Sequence, residues 1–217
     1  MNKIEVPDVT LVAVDCTNRI EETIKALQIC AKKINFGNAV LLRHEKPKNL
    51  PSFIIYKKIA KIKNIDEYNF FMFLELYKYF NTTHCLTIQD HALIINPELW
   101  DNNWLKWDWI GAPWEIRENS YIANNGERIR QGNGGFSLRS KKICSLPSKM
   151  GWELREERGF YNEDGNFTVY WRKEMLKQGI KYAPLEVAAK FSYENPVGEN
   201  NFGNTKTFGF HRNTPSG

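Results

Sequence analysis

Two rhythms of apolar residues run through the first half of the chain. "VTLVAVD", Val9 to Asp15, is short, β-rich and ends in an acid, which predicts a buried strand with a polar tip. Asn18 then opens a predicted helix, with Glu21 three residues later as its capping-box partner. Ile20, Ile24, Leu27, Ala31 and Ile34 give that helix one apolar face. "FGN" is expected to end it, "AVLLRH" (Ala39 to His44) to form a second buried strand, and "SFIIYKKI" a third. Asn64 and Glu67 predict another capping box and a helix reaching to about Phe80, with Ile65, Tyr68, Phe71, Met72, Leu76 and Tyr79 at helical spacing.

"HCLTIQDHALIINP", His84 to Pro97, reads as a fourth strand, yet Gln89, Asp90 and His91 interrupt its apolar run. The order strand–helix–strand–strand–helix–strand implies an α/β fold: a mixed, mainly parallel sheet flanked by helices. In open sheets of this kind ligands bind beyond the carboxyl ends of the strands, where the strand order reverses. Asp15, Arg43-His44 and Gln89-Asp90-His91 all fall at such ends, so they are expected to converge on one crevice.

Beyond residue 98 the pattern changes. Five Trp fall between Trp100 and Trp114, followed by a polar stretch (Glu118 to Gln131), the glycine motif "GNGGFSLRS" and a helix rich in Lys, Glu and Arg. One domain is expected over 1–217: a nucleotide-binding half to about 98, an irregular half over about 99–211, and a tail or linker at 212–217. The ending "HRNTPSG" suggests one module of a longer chain.

Composition narrows the partners. Of 217 residues 42% are hydrophobic and 13% aromatic, enough for a core and for aromatic ligand walls. The net charge of +5 admits nucleic acid, an anionic membrane surface or phosphorylated small molecules. The cations are scattered, and "YKKIAKIK" alternates with apolar residues as a strand edge does, so nucleic acid is not expected. Cys16, Cys30, Cys85 and Cys144 show no CxxC pairing, and three of them lie in apolar runs, as reduced cysteines do. No signal-peptide pattern is visible, and no apolar run approaches the roughly 18 residues of a membrane span. The expectation is a cytoplasmic protein with no transmembrane segment, soluble or peripheral to a membrane.

Four motifs carry candidate chemistry. A carboxylate and an imidazole at a strand end, Asp90 and His91, suit Mn²⁺ or Mg²⁺ bridging to a diphosphate; an Asp–His hydrogen bond closing the strand explains them slightly better. "RQGNGGFSLRS" permits a tight turn and close backbone approach to a ligand, or is an ordinary turn into a strand. The Asn133 amide, able to donate to and accept from a sugar hydroxyl, favours ligand contact. Glu163-Asp164 before a helix can cap its N-terminus or supply a general base. His211, ending "KTFGFHR", is a structural histidine or a third metal ligand.

Taken together, "YNFFMFLELYKYFNTTHCLTIQDHALIINPELW", "WDWIGAPW", "GNGGFSLRS", "NEDGNF", "IKYAPLEVAAKFSYE" and "FGFH" resemble a family of glycosyltransferase-like proteins, largely of unknown function. The resemblance runs from about Val9 to His211. It implies a GT-A-type fold and transfer of a sugar from a UDP- or GDP-type nucleotide-sugar donor to a hydroxyl acceptor such as a glycan. The family's metal element looks like Gln-x-Asp-Gly. Here Gln89 holds the first position, Asp90 the variable one, His91 stands for the last Asp, and Ala92 for the Gly. Such a His suits Mn²⁺ better than Mg²⁺. Either Asp90 takes over through a local shift, or metal dependence has been lost. The resemblance assigns Asp90, His91 and His211 to a metal. It makes Asp164 the base of an inverting reaction, with retaining chemistry left open, and Glu163 the group orienting acceptor or loop. Gln89, Asp90, Gly134 and Gly135 fall to the donor and Trp114 and Asn133 to the acceptor; strand-end logic adds Asp15 and Arg43 to the donor side. Two rivals stand beside this reading: an inactive GT-A-shaped module that binds a glycan or nucleotide sugar, and a nucleotidyltransferase. The latter calls for a Gly-rich loop after the first strand, which "VAVDCTNRIEE" lacks.

Overall fold

Strands β1 (Ile4–Val14), β2 (Ile34–Arg43), β3 (Ile54–Lys58), β4 (His84–Ile88), β6 (Trp109–Gly111) and β7 (Phe136–Ser140) build one sheet in the order β3-β2-β1-β4-β7-β6. In this computed structural model the described residues are 3–115, 121–122, 126–130, 132–156, 161–197 and 206–212. β1 to β4 are parallel, and β7 alone runs against its neighbours. The mainly parallel sheet flanked by helices is the architecture expected from the pattern. Strand order grows outward from β1 to β3, then reverses to place β4 on the other side of β1. The reversal opens a crevice between the ends of β1 and β4.

The two-residue alternation sorts the sheet into two buried faces. Leu11, Ala13, Leu41, Leu86, Ile88, Phe136 and Leu138 face α1 (Ile20–Lys33) through Ile24, Leu27 and Cys30, together with an aromatic group of Trp104, Phe191 and Phe208. Val12, Val40, Leu42 and Cys85 face α2 (Ile65–Leu74), α3 (Lys141–Met150) and Phe167. On the second face β4 and β7 also carry Thr87, Ser137 and Arg139, all buried.

Three local expectations are corrected. Asn18 and Glu21 do not cap α1: its N-cap is Arg19, without a side-chain cap. "FGN" does not stop that helix but lies inside β2. A Cβ on Gly37 would lie 2.2 Å from the Pro7 carbonyl oxygen, where the β1–β2 register slips, so this glycine serves close strand approach. Finally, His84 to Pro97 is two strands. β4 ends at Ile88, and β5 (Ala92–Ile94) joins a second sheet, with β9 (Gly209–His211) in the middle and β8 (Ser192–Tyr193), which follows α4 (Leu185–Phe191), on the other edge. The second cap is as expected: Asn64 Oδ1 accepts from the Glu67 N–H at 2.9 Å, opening α2, while the Glu67 carboxylate accepts from Lys63 N–H. The helix is shorter than expected, ending at Leu74, and a 3₁₀ turn over Leu76–Tyr79 covers the rest of the way to Phe80. Much of the polar stretch from Glu118 to Gln131, and 213–217 of the tail, lie outside the described residues. Among the described residues no helix is long and apolar enough to cross a membrane.

Candidate active site at the tip of β4

A strand leaving one sheet for another must turn, and Gln89, Asp90 and His91 are the turn, closed by Ala92 N–H to Gln89 O at 3.0 Å. Ala92 pairs with His211 in the β5–β9 ladder, and Arg212 N–H donates to His91 O at 3.0 Å. Register therefore fixes His91 beside His211 across 120 residues of sequence. Their Nε2 atoms stand 3.0 Å apart, and Gln89 Oε1 lies 3.0 Å from His211 Nε2. His91 Nδ1 meets the Asp90 carboxylate, whose other oxygen is 2.5 Å from Arg19 Nη2. His211 Nδ1 lies 3.1 Å from Glu194 Oε1, and the Gln89 amide nitrogen donates to Tyr68 OH at 3.3 Å. Burial first, and the neighbouring His211 second, hold His91 below the usual imidazole range.

The β1–β4 crevice is a cavity of about 500 Å³. The turn Asp15–Arg19 lines one side, the lead-in to α2 from Ile62 to Tyr68 another, and Gln89 and Asp90 close the end. Arg19 and Lys63 bring positive charge to its wall. Asp15 shapes the turn: its carboxylate accepts from Thr17 N–H and from the Thr23 hydroxyl, each at 2.6 Å. Arg43 braces the same turn, donating to the carbonyls of Asp15 and Thr17 at 3.0 and 2.9 Å.

A second group of residues adjoins the first across Gly134-Gly135. A Cβ on Gly135 would lie 2.1 Å from His211 Nε2, and one on Gly134 2.5 Å from Glu163 Oε1. These glycines admit protein side chains to close range, a use the motif alone did not indicate. Asp164 Oδ2 accepts from Gly134 N–H at 3.1 Å, and its Oδ1 accepts from Gly165 N–H. Burial first and the Glu163 charge second raise the Asp164 carboxyl to about 7. Glu163 in turn meets Arg139 Nη2 at 2.8 Å. Arg139 is fully buried, 4.4 Å from the Trp109 ring centre, and also donates to Gly134 O and to Ser137 Oγ. Asn133 is buried and its amide oxygen accepts from Gly135 N–H, while Trp114 packs on Tyr121 with ring centres 4.7 Å apart. Substituting Gly135 with Ala is expected to push the His211 ring aside and cost about 1–3 kcal/mol by overpacking, read as a lowered urea midpoint.

Residues 52–211 match the family described as "Protein of unknown function (DUF5672)". The chain belongs to the DUF5672 family. The matched region holds the β4 tip, the glycine turn, Glu163-Asp164 and His211, and begins after β1 and α1. No curated protein matches the sequence. Among solved structures, an active-site mutant of LgtC aligns at 13% identity with a TM-score of 0.56, covering 95% of this chain and 88% of that one. The galactosyltransferase LgtC in complex with donor and acceptor sugar analogs aligns at 12% identity with the same TM-score, covering 95% and 87%. A 4-diphosphocytidyl-2C-methyl-D-erythritol synthase from Anaerococcus prevotii aligns at 12% identity over 83% and 86% of the chains, but at a TM-score of 0.47 it carries no argument. At such identities the likeness is one of fold, and the fold of this DUF5672 chain is GT-A-like.

The structure brings Gln89, His91 and His211 together, and brings Asp164 and Glu163 to the other side of the Gly134-Gly135 turn. Asp90 is turned away from the two Nε2 atoms, towards Arg19 and His91 Nδ1. Arg19, Tyr68, Arg139 and Glu194 were not singled out from sequence. Arg139 occupies a polar position of the alternating strand "FSLRS" and so gave no sign of its burial, and the others too are visible only through pairings distant in sequence.

Proposed function

We propose that this protein moves a sugar from a nucleotide-sugar donor to a hydroxyl acceptor, with a divalent ion at the β4 tip and Asp164 as the base of an inverting reaction. The observation that carries this reading is the single line of contacts from the switch-point cavity, through Gln89, His91 and His211, to the Gly134-Gly135 turn and Asp164. The cavity suits a nucleoside at its Ile62–Tyr68 wall, and Arg19 and Lys63 suit the diphosphate. Gln89, His91 and His211 turn ligand atoms towards each other and would hold the ion, Mn²⁺ in preference to Mg²⁺ because two donors are imidazoles. The ion, when bound, neutralises charge on the departing diphosphate.

Asp164 then accepts the acceptor's hydroxyl proton as that oxygen bonds to the anomeric carbon and the bond to the diphosphate breaks. Its raised pKa leaves it basic enough to take a proton near neutral pH. Gly134 N–H holds Oδ2 in place, and the Trp114–Tyr121 pair offers an aromatic face for an acceptor pyranose. Calorimetry of UDP and GDP with and without Mn²⁺, followed by donor-hydrolysis and transfer assays, tests the proposal. Mn²⁺-assisted binding with turnover is expected, and His211→Ala should lose the Mn²⁺-linked part of the binding. Binding without hydrolysis or transfer would make the protein a GT-A-shaped binding module, and pyrophosphate release from a nucleoside triphosphate a nucleotidyltransferase.

A further inference from the structure

Both Nδ1 atoms at the β4 tip face carboxylates, His91 towards Asp90 and His211 towards Glu194, while the two Nε2 atoms face each other at 3.0 Å. The Gln89 amide nitrogen faces Tyr68 OH, which turns Oε1 to 3.0 Å from His211 Nε2. In the tautomers that donate each Nδ1–H to its carboxylate, two ring lone pairs and an amide oxygen gather at one point, a set that suits a cation.

The spacing fits a metal ion. Two imidazoles at adjacent corners of an octahedral ion, with bonds of about 2.1 Å, would place their nitrogens about 3.0 Å and their ring centres about 4.6 Å apart. The observed values are 3.0 Å and 4.7 Å. Among the described residues no three His, Cys, Asp or Glu side chains form a metal-binding group; the donors gathered here are two imidazoles and one amide oxygen.

We infer that this centre binds its ion through three uncharged donors, Gln89 Oε1, His91 Nε2 and His211 Nε2, with Asp90 and Glu194 behind the imidazoles, and therefore selects octahedral, nitrogen-preferring ions such as Co²⁺ and Ni²⁺ over Mn²⁺, and Mn²⁺ over Mg²⁺ and Ca²⁺. A set of hard carboxylates attracts an ion by charge; a neutral N₂O set ranks ions by their affinity for imidazole. Asp90 and Glu194 orient the rings and raise their basicity, the usual task of outer carboxylates. The inference deepens the proposed function by naming its cofactor class, and rests on that reading only for the diphosphate that would complete the shell.

The test is calorimetry of the metal-stripped protein with each chloride salt, alongside the visible absorption of the Co²⁺ form. Co²⁺ is expected to bind at least about tenfold more tightly than Mn²⁺, and Mg²⁺ to be weakest. Glu194→Gln and Asp90→Asn should each lower Co²⁺ affinity by about 10- to 100-fold with unchanged circular dichroism. His91→Ala and Gln89→Ala should change the Co²⁺ spectrum itself, a readout that a failure of folding would not imitate. Equal affinity for Mg²⁺ and Co²⁺, or a Co²⁺ spectrum untouched by either substitution, would overturn the inference. So would metal-free protein whose nitrogen NMR shows a proton shared between His91 and His211. The two readings fail separately: transfer with Mg²⁺ preferred sinks only the metal assignment, and this ion ranking without transfer sinks only the proposed function.

Discussion

Asp164→Asn is expected to lower sugar transfer by about 10²- to 10⁴-fold while nucleoside-diphosphate affinity stays unchanged. The carboxylate sits across the Gly134-Gly135 turn from the imidazoles, held by the N–H groups of Gly134 and Gly165, so an amide fits the space but cannot take a proton at neutral pH. Because burial and then Glu163 raise its carboxyl to about 7, kcat/KM should climb with pH through that value and level off above it. The sign for stability is opposite. A carboxyl whose folded pKa lies above its unfolded value of 3.8 favours the fold while protonated. That contribution is full below about 4 and lost as pH rises through 7, so Asp164→Asn should gain stability over the wild type towards alkaline pH. Glu163→Gln removes the negative neighbour and leaves Arg139 unopposed, moving the acidic limb of the rate profile to lower pH. An unmoved limb, or full activity in Asp164→Asn, would take Asp164 out of the base role.

The largest loss of stability is expected at Arg139. Its guanidinium is fully buried beside the Trp109 and Phe167 rings and pairs with Glu163 at 2.8 Å. Arg139→Met leaves the Glu163 carboxylate buried without its partner, at a cost of about 3–5 kcal/mol. It also removes the 2.9 Å hydrogen bond from Arg139 to the Gly134 carbonyl, leaving that oxygen to the Ser137 and Thr87 hydroxyls, and so loosens the turn between the imidazoles and Asp164. Urea unfolding measures the loss. The double variant Arg139→Met, Glu163→Gln removes both charges and should recover a substantial part of it, since uncharged groups of similar size are tolerated in such a place. A double variant as unstable as the single one would show that Arg139 contributes through packing on Trp109 and not through the ion pair.

How far the chain could be read in advance is best seen at His84 to Pro97. Its residues give the polar break at Gln89 to His91, and strand-end logic gives the break a purpose. They do not give the change of sheet, because β5 is three residues long and its partner lies at 209–211. Gly37 shows the opposite error. "FGN" looks like a helix stop when only neighbours in sequence are considered, whereas its small size answers to Pro7 on the adjacent strand. Asn64 succeeded because its cap bond spans three residues. The resemblance places Asp90 with the metal ligands; only its ion pair with Arg19 in the cavity wall shows where its carboxylate turns.

The sequence by itself determined the succession of strands and helices in the first half and the polar residue types at the strand ends. The reversal that opens a crevice between β1 and β4 came from strand pairing. Periodicity and capping are interactions over a few residues, and local chemistry encodes them. Only the tertiary structure decided which of those side chains face one another: Gln89 with His91 and His211, Asp90 and Glu194 behind them, Arg139 under Glu163. Strand register and the packing of two sheets set these meetings, and a register shifted by one residue would turn every one of them to the opposite face.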